Sequence, residues 1–485
     1  MRTRTRRLVV LLLAAASPLL LEAGWRAWVV ASAPGAEPGA FTVLAVGGSG
    51  MRGAYVEPRM SIPSTVEWML GGNAGGRRIV THVLADHGHS IYPQAVLLER
   101  ALAGRGDAGP GVVLVYSGHN EGIGPDAADS PAGGASFLER EVESRSWLVR
   151  DLAFLARERG WLDRRRDLRT TEHWLRRVAW TARDHGLVPI LASEPSNVGG
   201  IEPNVREDAD AAAVRAAVES GDEESWLRRA GDQAAGALFL YLAGKARRAR
   251  GAAEGARGLL LRAIDRDPRN HFGRATSAQH DLVRRVAAEE GVPLVDAPAV
   301  LAAASPDGIP DGGLFGDGHH PGAEGYRLIA AAFAARVAEV GGDPAPPRAS
   351  APLVEVEAAL GVTPSDRRDA AVRYGSWLVA TAAMHPWPDD RLALAGTRFR
   401  EALDASPDDP SALLGVAIAQ AGRAGGLLRD REALDALHRW HVFYSDRFCV
   451  PPEERAAAMR RLGEAGADGA ILARLDASKG VACGP

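Results

Sequence analysis

The fold of this chain is decided by residues 41–50, FTVLAVGGSG. The β-rich run from Phe41 to Val46 predicts a buried strand, and the glycines around Ser49 predict a sharp turn directly after it. A serine in such a turn lies at the carboxyl end of the strand, where open α/β sheets bind their ligands. Ser49 is therefore a candidate nucleophile, although glycine turns after strands also occur in phosphate-binding and purely structural loops.

Further short apolar runs recur along the chain, separated by sequence with helical patterns. They span residues 79–84, 112–116, 188–192 and 292–295. Strands that alternate with helices predict a parallel sheet covered by helices on both faces. We therefore predict an α/β fold, a three-layer α/β/α (flavodoxin-like) domain over residues 41–345.

Two regions interrupt this alternation, an insert at about 234–270 and the C-terminal region 350–485. Helical patterns dominate both, and no convincing strand follows Pro347. The segment 399–410 and the helix predicted after it resemble a tetratricopeptide repeat, and the insert has similar small residues at packing positions. Generic helical hairpins explain both regions equally well. The C-terminal helices are a candidate surface for a protein partner.

The N-terminus has the pattern of an export signal. Arginines at positions 2, 4, 6 and 7 precede an uncharged apolar run over residues 8–21, followed by Trp25 and Trp28. The run is shorter than the roughly 20 residues of a membrane span, but residues 23–30 could extend it. Ala31-Ser32-Ala33 has the spacing of a cleavage site, yet Pro34 disfavours processing. We predict that residues 1–33 are an uncleaved single-pass membrane anchor, with the catalytic domain periplasmic or extracellular.

The amino-acid composition limits the kinds of partner that we expect. Hydrophobic residues at 46% and charged residues at 24% are typical of soluble globular domains. A formal net charge of −4 gives no reason to expect nucleic acid as a partner. Cys449 and Cys483 lie near the C-terminus, where one bridge or two free thiols are both open readings, and they do not make a zinc site or a disulfide framework.

Two further blocks carry groups suited to ester chemistry. Asn120 follows the predicted strand 112–116, so its amide could join backbone N–H groups near Ser49 and Gly88 in stabilising an oxyanion. In the block 316–321, GDGHHP, Asp317 precedes His320 by three residues and can fold back to orient its imidazole. Such a histidine can serve as general base toward Ser49 and as general acid toward the leaving alcohol.

These blocks, in this order, resemble the SGNH or GDSL hydrolase family over about residues 41–341. The resemblance implies that Ser49 is the nucleophile, that Asp317 and His320 complete the triad, and that Ser49, Gly88 and Asn120 form the oxyanion hole. The sequence departs from the family pattern in three places, which are Gly48 for a frequent aspartate, Gly50 for a common threonine, and Glu121 for the usual aspartate after Asn120. His319 is a rival base, but the family spacing from the aspartate selects His320.

Further polar residues are candidates for the pocket. The stretch 194–197, EPSN, resembles a segment of exported, membrane-anchored members that carry tetratricopeptide-like inserts. We take Asn197 and His119 as candidate pocket residues, although a loop asparagine more often caps a turn. The histidines at 87, 89 and 119 could suggest a metal, but no carboxylate cluster accompanies them, and we predict neither metal nor cofactor.

The sequence thus predicts a serine enzyme that cleaves or transfers O-acyl or acetyl groups through an acyl-enzyme. The substrate would be a small-molecule, glycan or lipid ester of the cell envelope. The alternative from another class is a non-catalytic envelope scaffold that binds through this domain and its helices. A phosphate-binding turn after Val46 is disfavoured, because the lysine and Ser/Thr pattern of nucleotide loops is missing.

Overall fold

The structure is a computed structural model of the chain. It describes residues 18–32, 37–54, 58–104, 109–121, 139–143, 145–159, 168–203, 216, 218–221, 224–225, 236–267, 274–343, 347–382, 389–424, 440–442, 447–448 and 450–478. The predicted signal over residues 1–17, the junction of Ala33 with Pro34, and both cysteines lie outside these residues.

A six-stranded sheet forms the centre of the fold. In chain order its strands are β1 (Phe41–Gly47), β2 (Asn73–Ala74), β3 (Arg77–Val83), β4 (Gly111–Ser117), β5 (Val188–Ser193) and β6 (Leu294–Val295). They lie in the order β2-β3-β1-β4-β5-β6, and every neighbouring pair except β2–β3 is parallel. The predicted α/β fold with a parallel sheet is confirmed, and β1 lies inside it.

The antiparallel edge strand β2 was not predicted. It joins β3 through Gly75 and Gly76, which both have positive φ, at 58° and 70°. Two such residues make the tight hairpin turn that matches the twist of the strands it connects. The Gly-Gly pair was the available signal, but a strand of two residues is too short to leave a period of its own.

Helices cover both faces of the sheet. Before β6 they are α2 (Ser49–Arg52), α3 (Ile62–Met69), α4 (Ile91–Leu102), α5 (Trp147–Glu158), α6 (Leu168–Asp184), α7 (Ala237–Ala249), α8 (Ala253–Asp265) and α9 (Ser277–Glu290). After it come α10 (Ala297–Ala304), α11 (Ala323–Gly341) and α12 (Leu353–Ala359). Alternate residues of β1 face opposite ways: Val43 packs with α3 and α11, whereas Leu44 packs with α4, α6 and α9. This alternation explains why β1 reads as a continuous apolar run.

The insert region contains the pair α7 and α8. These helices approach closely at Gly244, where a Cβ atom would lie 2.7 Å from the Leu260 side chain. Their shared apolar cluster also includes Val198 and Ile309, which lie in loops of the sheet domain. The insert therefore packs on two loops, one directly after Asn197 and one shortly before the block 316–321. Its assignment to a tetratricopeptide-like unit stays a prediction.

The C-terminal region is mainly helical. It contains α13 (Pro364–Ala382), α14 (Asp389–Ala405), α15 (Pro410–Arg423), α16 (Arg455–Glu464) and α17 (Gly469–Ala477). The expectation of no strands there was wrong, because β7 (His441–Val442) and β8 (Arg447–Phe448) pair antiparallel. Strands of two residues leave no alternating pattern to read.

A helix over residues 18–32, which we call α1, packs on the start of α5. The Glu22 carboxylate accepts hydrogen bonds from the Ser146 hydroxyl and from the backbone amides of Trp147 and Leu148, at 2.8–2.9 Å. These bonds cap the N-terminus of α5 with a negative charge, which the helix dipole favours. Among the residues described, no helix combines the length and the apolar character needed to cross a membrane.

Candidate active site

Three of the predicted site residues are joined by hydrogen bonds. The Ser49 Oγ atom lies 2.7 Å from His320 Nε2, and His320 Nδ1 lies 2.7 Å from Asp317 Oδ2. Ser49 opens α2 directly after β1, whereas the other two residues lie in the loop before α11. All three side chains are buried. Hydroxyl, imidazole and carboxylate thus form one unbroken chain, the arrangement in which an imidazole can take the proton of an attacking serine.

The loop folds back on itself to make this arrangement. Asp317 Oδ1 accepts hydrogen bonds from the backbone amides of His319 and His320, at 2.8 and 2.7 Å. The amide of Gly316 donates to the carbonyl of His320 at 2.9 Å. Because the carboxylate accepts from Nδ1, that nitrogen carries the proton and Nε2 is left to accept from Ser49.

The charge of the carboxylate is stabilised locally. Burial alone would raise the pKa of Asp317, but the neighbouring His320 and His319, together with the hydrogen bonds they donate, outweigh burial and lower it. Asp317 is therefore ionised at neutral pH. An ionised carboxylate in this position stabilises the imidazolium that forms when His320 accepts a proton.

The glycines on both sides of Ser49 are required by close contacts. A Cβ atom on Gly48 would lie 2.6 Å from Asn120 Nδ2 and 3.1 Å from the His89 carbonyl oxygen. On Gly50, a Cβ atom would lie 2.7 Å from the Tyr116 ring and 3.0 Å from Glu194 Oε1. These contacts leave no room for a side chain at either position. The nucleophile turn is held between the end of β4 and the end of β5.

The structure places Asn120 and Gly88 differently. Asn120 is half-buried against the Ser49 turn, and its Nδ2 donates to the His89 carbonyl at 3.2 Å. Since an amide nitrogen carries two hydrogens, one remains for an oxyanion. Gly88 is exposed in the turn before His89, with a φ of 72° that favours glycine. The oxyanion roles of both residues stay predictions.

His319, the rival base, lies next to the hydrogen-bonded series of Ser49, His320 and Asp317 but is not part of it. Its ring lies 3.9 Å from the ring of His320 and 4.7 Å from the ring of His119, measured between centroids. Burial, and then the charge of His320, lower the pKa of His319 to about 3. It is therefore neutral at neutral pH. The structure brings His320, and not His319, within hydrogen-bond distance of Ser49.

Among the described residues, the group that could hold a metal shares two members with the triad. Ligand atoms of Asp317, His319 and His320 lie within 4.8 Å of one another. Two of these residues, however, hydrogen-bond each other, and His320 also contacts Ser49. A metal bound by all three would have to break that chain. The geometry therefore fits proton transfer better than metal ligation.

Glu194 is a site residue that the sequence reading did not single out. It directly follows β5, and its buried Oε2 accepts a hydrogen bond from the amide of His119 at 2.8 Å. Burial raises the pKa of Glu194 to about 8, since the bond from His119 offsets only part of the cost. His119, also buried, has its own pKa lowered, first by burial and then by His319. A polar residue at the carboxyl end of a predicted strand was the available signal.

Asn197 forms hydrogen bonds with the loop that carries Asp317 and His320. Its side chain is fully buried, Nδ2 donates to the Asp317 carbonyl at 2.8 Å, and Oδ1 accepts from the Gly200 amide at 2.8 Å. Its own amide donates to the Gly318 carbonyl at 3.0 Å. Both polar ends of the side chain are thus occupied by backbone. Asn197 is placed to fix the loop, and its role as a pocket residue stays a prediction.

The C-terminal region also contacts the catalytic loop. The Tyr374 hydroxyl of α13 donates to the carbonyl of Pro321 at 2.6 Å and lies 3.2 Å from the carbonyl of Ala54. Its ring packs where a side chain on Gly316 would be. Tyr374 therefore ties the segment after Ser49 to the segment after His320. No periodicity in the sequence indicated this contact.

No protein-family model and no curated protein matches the sequence. Three solved structures are similar to part of it. A member of the lipolytic protein G-D-S-L family from Veillonella parvula covers 60% of this chain and 96% of its own, at 13% identity and a TM-score of 0.31. A protein named as lipolytic, of the G-D-S-L family, from Desulfitobacterium hafniense covers 61% and 98%, at 13% identity and a TM-score of 0.29. One named as an acylhydrolase, from Bacteroides fragilis, covers 64% and 93%, at 12% identity and a TM-score of 0.30.

These similar structures are thus GDSL-family lipolytic proteins and an acylhydrolase by name. At such identities and TM-scores, the likeness carries no weight for the activity of this chain. The activity has to be inferred from the site itself.

Proposed function

We propose that the protein is a serine enzyme acting on carboxylic esters, with Ser49 as its nucleophile. The observation that supports this most is the unbroken chain from Ser49 Oγ through His320 to Asp317, with 2.7 Å at both steps. Each atom in it has the partner that acyl transfer requires.

The reaction runs in two halves. His320 Nε2 takes the Ser49 proton as Oγ attacks the ester carbonyl, and the resulting oxyanion is stabilised by the free hydrogen of the Asn120 amide and by backbone N–H groups. The imidazolium then gives its proton to the leaving alcohol, which leaves an acyl group on Ser49. In the second half, His320 removes a proton from the acceptor that attacks the acyl-enzyme. It then returns that proton to Ser49 Oγ as the bond between Oγ and the acyl group breaks. With water as acceptor, the product is the free acid.

The first test is turnover of an aryl acetate by the wild type and by Ser49→Ala. We expect the substitution to lower kcat/KM by at least about a thousandfold, because no other group replaces the nucleophile. Ser305→Ala, remote at the end of α10, is the matched control and should retain full activity. Equal rates for the wild type and Ser49→Ala would show that the protein acts as a binding scaffold, or that its chemistry lies elsewhere.

A paired substitution identifies the base. His320→Asn should abolish turnover, whereas His319→Asn should retain most of it, since only His320 lies within hydrogen-bond distance of Ser49. The reverse result would move the base to His319. Labelling of Ser49 by a fluorophosphonate, checked by mass spectrometry, gives an independent readout of nucleophilicity.

The substrate class and the location form a finer part of the proposal. The basic and apolar N-terminus supports an extracytoplasmic location, where esters of envelope glycans and lipids are available, and a sugar hydroxyl as acceptor would make the enzyme a transferase. Release of acetate from acetylated saccharides should be compared with cleavage of longer acyl esters. Cleavage of long-chain esters without any acetate release would rule out the acetylated glycans.

A further inference from the structure

The exposed apolar side chains of this protein are concentrated in one place. Most of the large ones in the described residues lie in α1 or in and beside α5, the most exposed being Leu19, Leu20, Leu21, Trp28, Leu152 and Leu155. Leu152 and Leu155 are 58% and 45% exposed and lie three residues apart on one side of α5. Large apolar side chains clustered on a surface mark a contact with another molecule or with a membrane.

The two helices are held together by contacts between polar side chains. Glu22 of α1 caps the first turn of α5, and Trp25 Nε1 donates to Asp151 at 2.7 Å. The Arg26 guanidinium lies over the Trp147 ring, 5.2 Å from its centroid. The polar side of α1 is therefore committed to α5. We call the exposed apolar side chains of these helices the α1–α5 surface.

The chain that leads into this surface indicates a lipid bilayer as its occupant. Residues 8–21 are uncharged and apolar, and the last four of them form the start of α1. Arginines at positions 2, 4, 6 and 7 precede this stretch. Basic residues are attracted to anionic headgroups, and tryptophans such as Trp28 are enriched at the boundary between headgroups and acyl chains. A segment of this composition delivers the α1–α5 surface to a membrane, whereas a protein partner would have no need of it.

Helix α5, which carries part of the α1–α5 surface, also contacts the residues around Ser49. The ring of Phe154 in α5 packs edge-on against the ring of His89, with 6.4 Å between centroids. The His89 carbonyl in turn accepts the hydrogen bond from Asn120 beside Ser49. On the other side, α5 is fixed to α4, since the Tyr92 hydroxyl donates to the Arg150 carbonyl at 2.8 Å. One residue therefore separates α5 from the oxyanion candidate.

We propose that the α1–α5 surface rests on a lipid bilayer and brings the Ser49 site to esters held in that bilayer. The first half concerns binding alone, and the second half rests on the proposed ester chemistry. In this arrangement Leu152 and Leu155 enter the headgroup region, and the substrate is an amphiphilic ester that reaches the site from the membrane.

The binding half is tested with an environment-sensitive fluorophore. The full-length chain with Cys449→Ser and Cys483→Ser is labelled at Leu152→Cys, and vesicles of phosphatidylcholine and phosphatidylglycerol are added. We expect a blue shift and a gain in intensity at position 152. Val354→Cys, at a side chain that is 67% exposed in α12, is the matched control and should show no change. An unchanged signal at position 152 would overturn the proposal, whether or not the protein sediments with the vesicles.

The substrate half is tested with Leu152→Gln/Leu155→Gln on two esters, a long-chain aryl ester dissolved in the same vesicles and a soluble aryl acetate. We expect about a tenfold lower rate on the vesicle ester, from the loss of two inserted leucines, and no change on the soluble one. Val354→Gln should leave both rates intact. An equal fall on both esters would overturn this half. If the wild type cleaves neither ester, the proposed function fails, while the fluorescence result at position 152 still decides the binding half.

Discussion

Asp317 and Glu194 are two carboxylates of the same site with opposite behaviour. Both are fully buried and both lie beside histidines. Asp317 accepts three hydrogen bonds, two from backbone amides and one from the His320 ring, and its pKa is lowered. Glu194 accepts one from the His119 amide, and burial raises its pKa to about 8.

The difference shows that the charges and hydrogen-bond donors around a carboxylate, and not its depth alone, decide whether it is ionised. Burial opposes ionisation in both residues, and only at Asp317 do neighbouring donors and histidines outweigh it. The contrast assigns different work to the two groups. Asp317 keeps a negative charge next to the base, whereas Glu194 holds a proton under the nucleophile turn at neutral pH.

The strongest test of this contrast is Asp317→Asn. We expect kcat/KM on an aryl acetate to fall by about 10³–10⁴-fold, because an amide can no longer hold the proton on His320 Nδ1 or stabilise the imidazolium. The matched control is Glu194→Gln, which replaces the other buried carboxylate. Because Glu194 is already neutral at pH 7, this control should stay within about threefold of the wild type. A comparable loss in both variants would mean that Glu194 acts as a charged group, and the contrast would fail.

The next effect concerns stability as a function of pH. The folded state holds the Glu194 proton up to about pH 8, whereas the unfolded chain releases it near 4.5. This group therefore stabilises the fold fully below about pH 4.5, and the contribution is lost as the pH rises to 8, by up to about 1.4 kcal/mol per pH unit. In Glu194→Gln this loss disappears. Urea unfolding from pH 5 to 8 should show the wild type losing free energy of unfolding relative to the variant.

Every other titratable residue is the same in the wild type and in Glu194→Gln, so the comparison of the two isolates the contribution of position 194. The exposed residue Glu355 supplies the control, since Glu355→Gln removes a carboxylate that water solvates in both states. Its pH profile should run parallel to that of the wild type. Parallel profiles for Glu194→Gln as well would place the ionisation of Glu194 at its ordinary value.

The smallest expected effect concerns Asn197, which follows β5 and hydrogen-bonds to the loop that carries Asp317. Asn197→Ala leaves the Asp317 carbonyl and the Gly200 amide without their partner, so we expect the free energy of unfolding to fall by about 1–3 kcal/mol. Asn73→Ala removes an exposed β2 side chain whose amide donates to the Gly71 carbonyl at 2.9 Å, and it should change the free energy of unfolding by less than about 0.5 kcal/mol. Equal values for the two variants would show that the loop holds its geometry without Asn197.

The sequence predicted those parts of the site that follow from strand ends and local spacing. Ser49 follows β1, and Asp317 and His320 share one short loop, so their meeting depends only on the parallel order of the sheet. The roles of Glu194 and Asn197 were harder to predict, because they depend on which backbone groups form hydrogen bonds with these side chains. The raised pKa of Glu194 results from its burial by other segments, and no local pattern encodes that burial.

Contacts between distant regions were the least predictable. Tyr374 meets Pro321 across 53 positions of the chain and Ala54 across 320. A tyrosine in a helical pattern indicates a buried face, but it does not name the partner. The two-residue strands at 73–74, 441–442 and 447–448 were not predicted either, because they are too short to show an alternating pattern.

Through the hydroxyl of Tyr374, the geometry of the proposed triad depends on the thermal stability of the C-terminal helices. Because one side chain holds the segments after Ser49 and after His320, melting of α13 would release both halves of the triad together. Heat inactivation should then follow the unfolding of the C-terminal helices, even while the sheet is intact. A chain shortened to the sheet domain would keep Ser49, Asp317 and His320 but lose the contact from Tyr374 that holds the segments after Ser49 and His320 together.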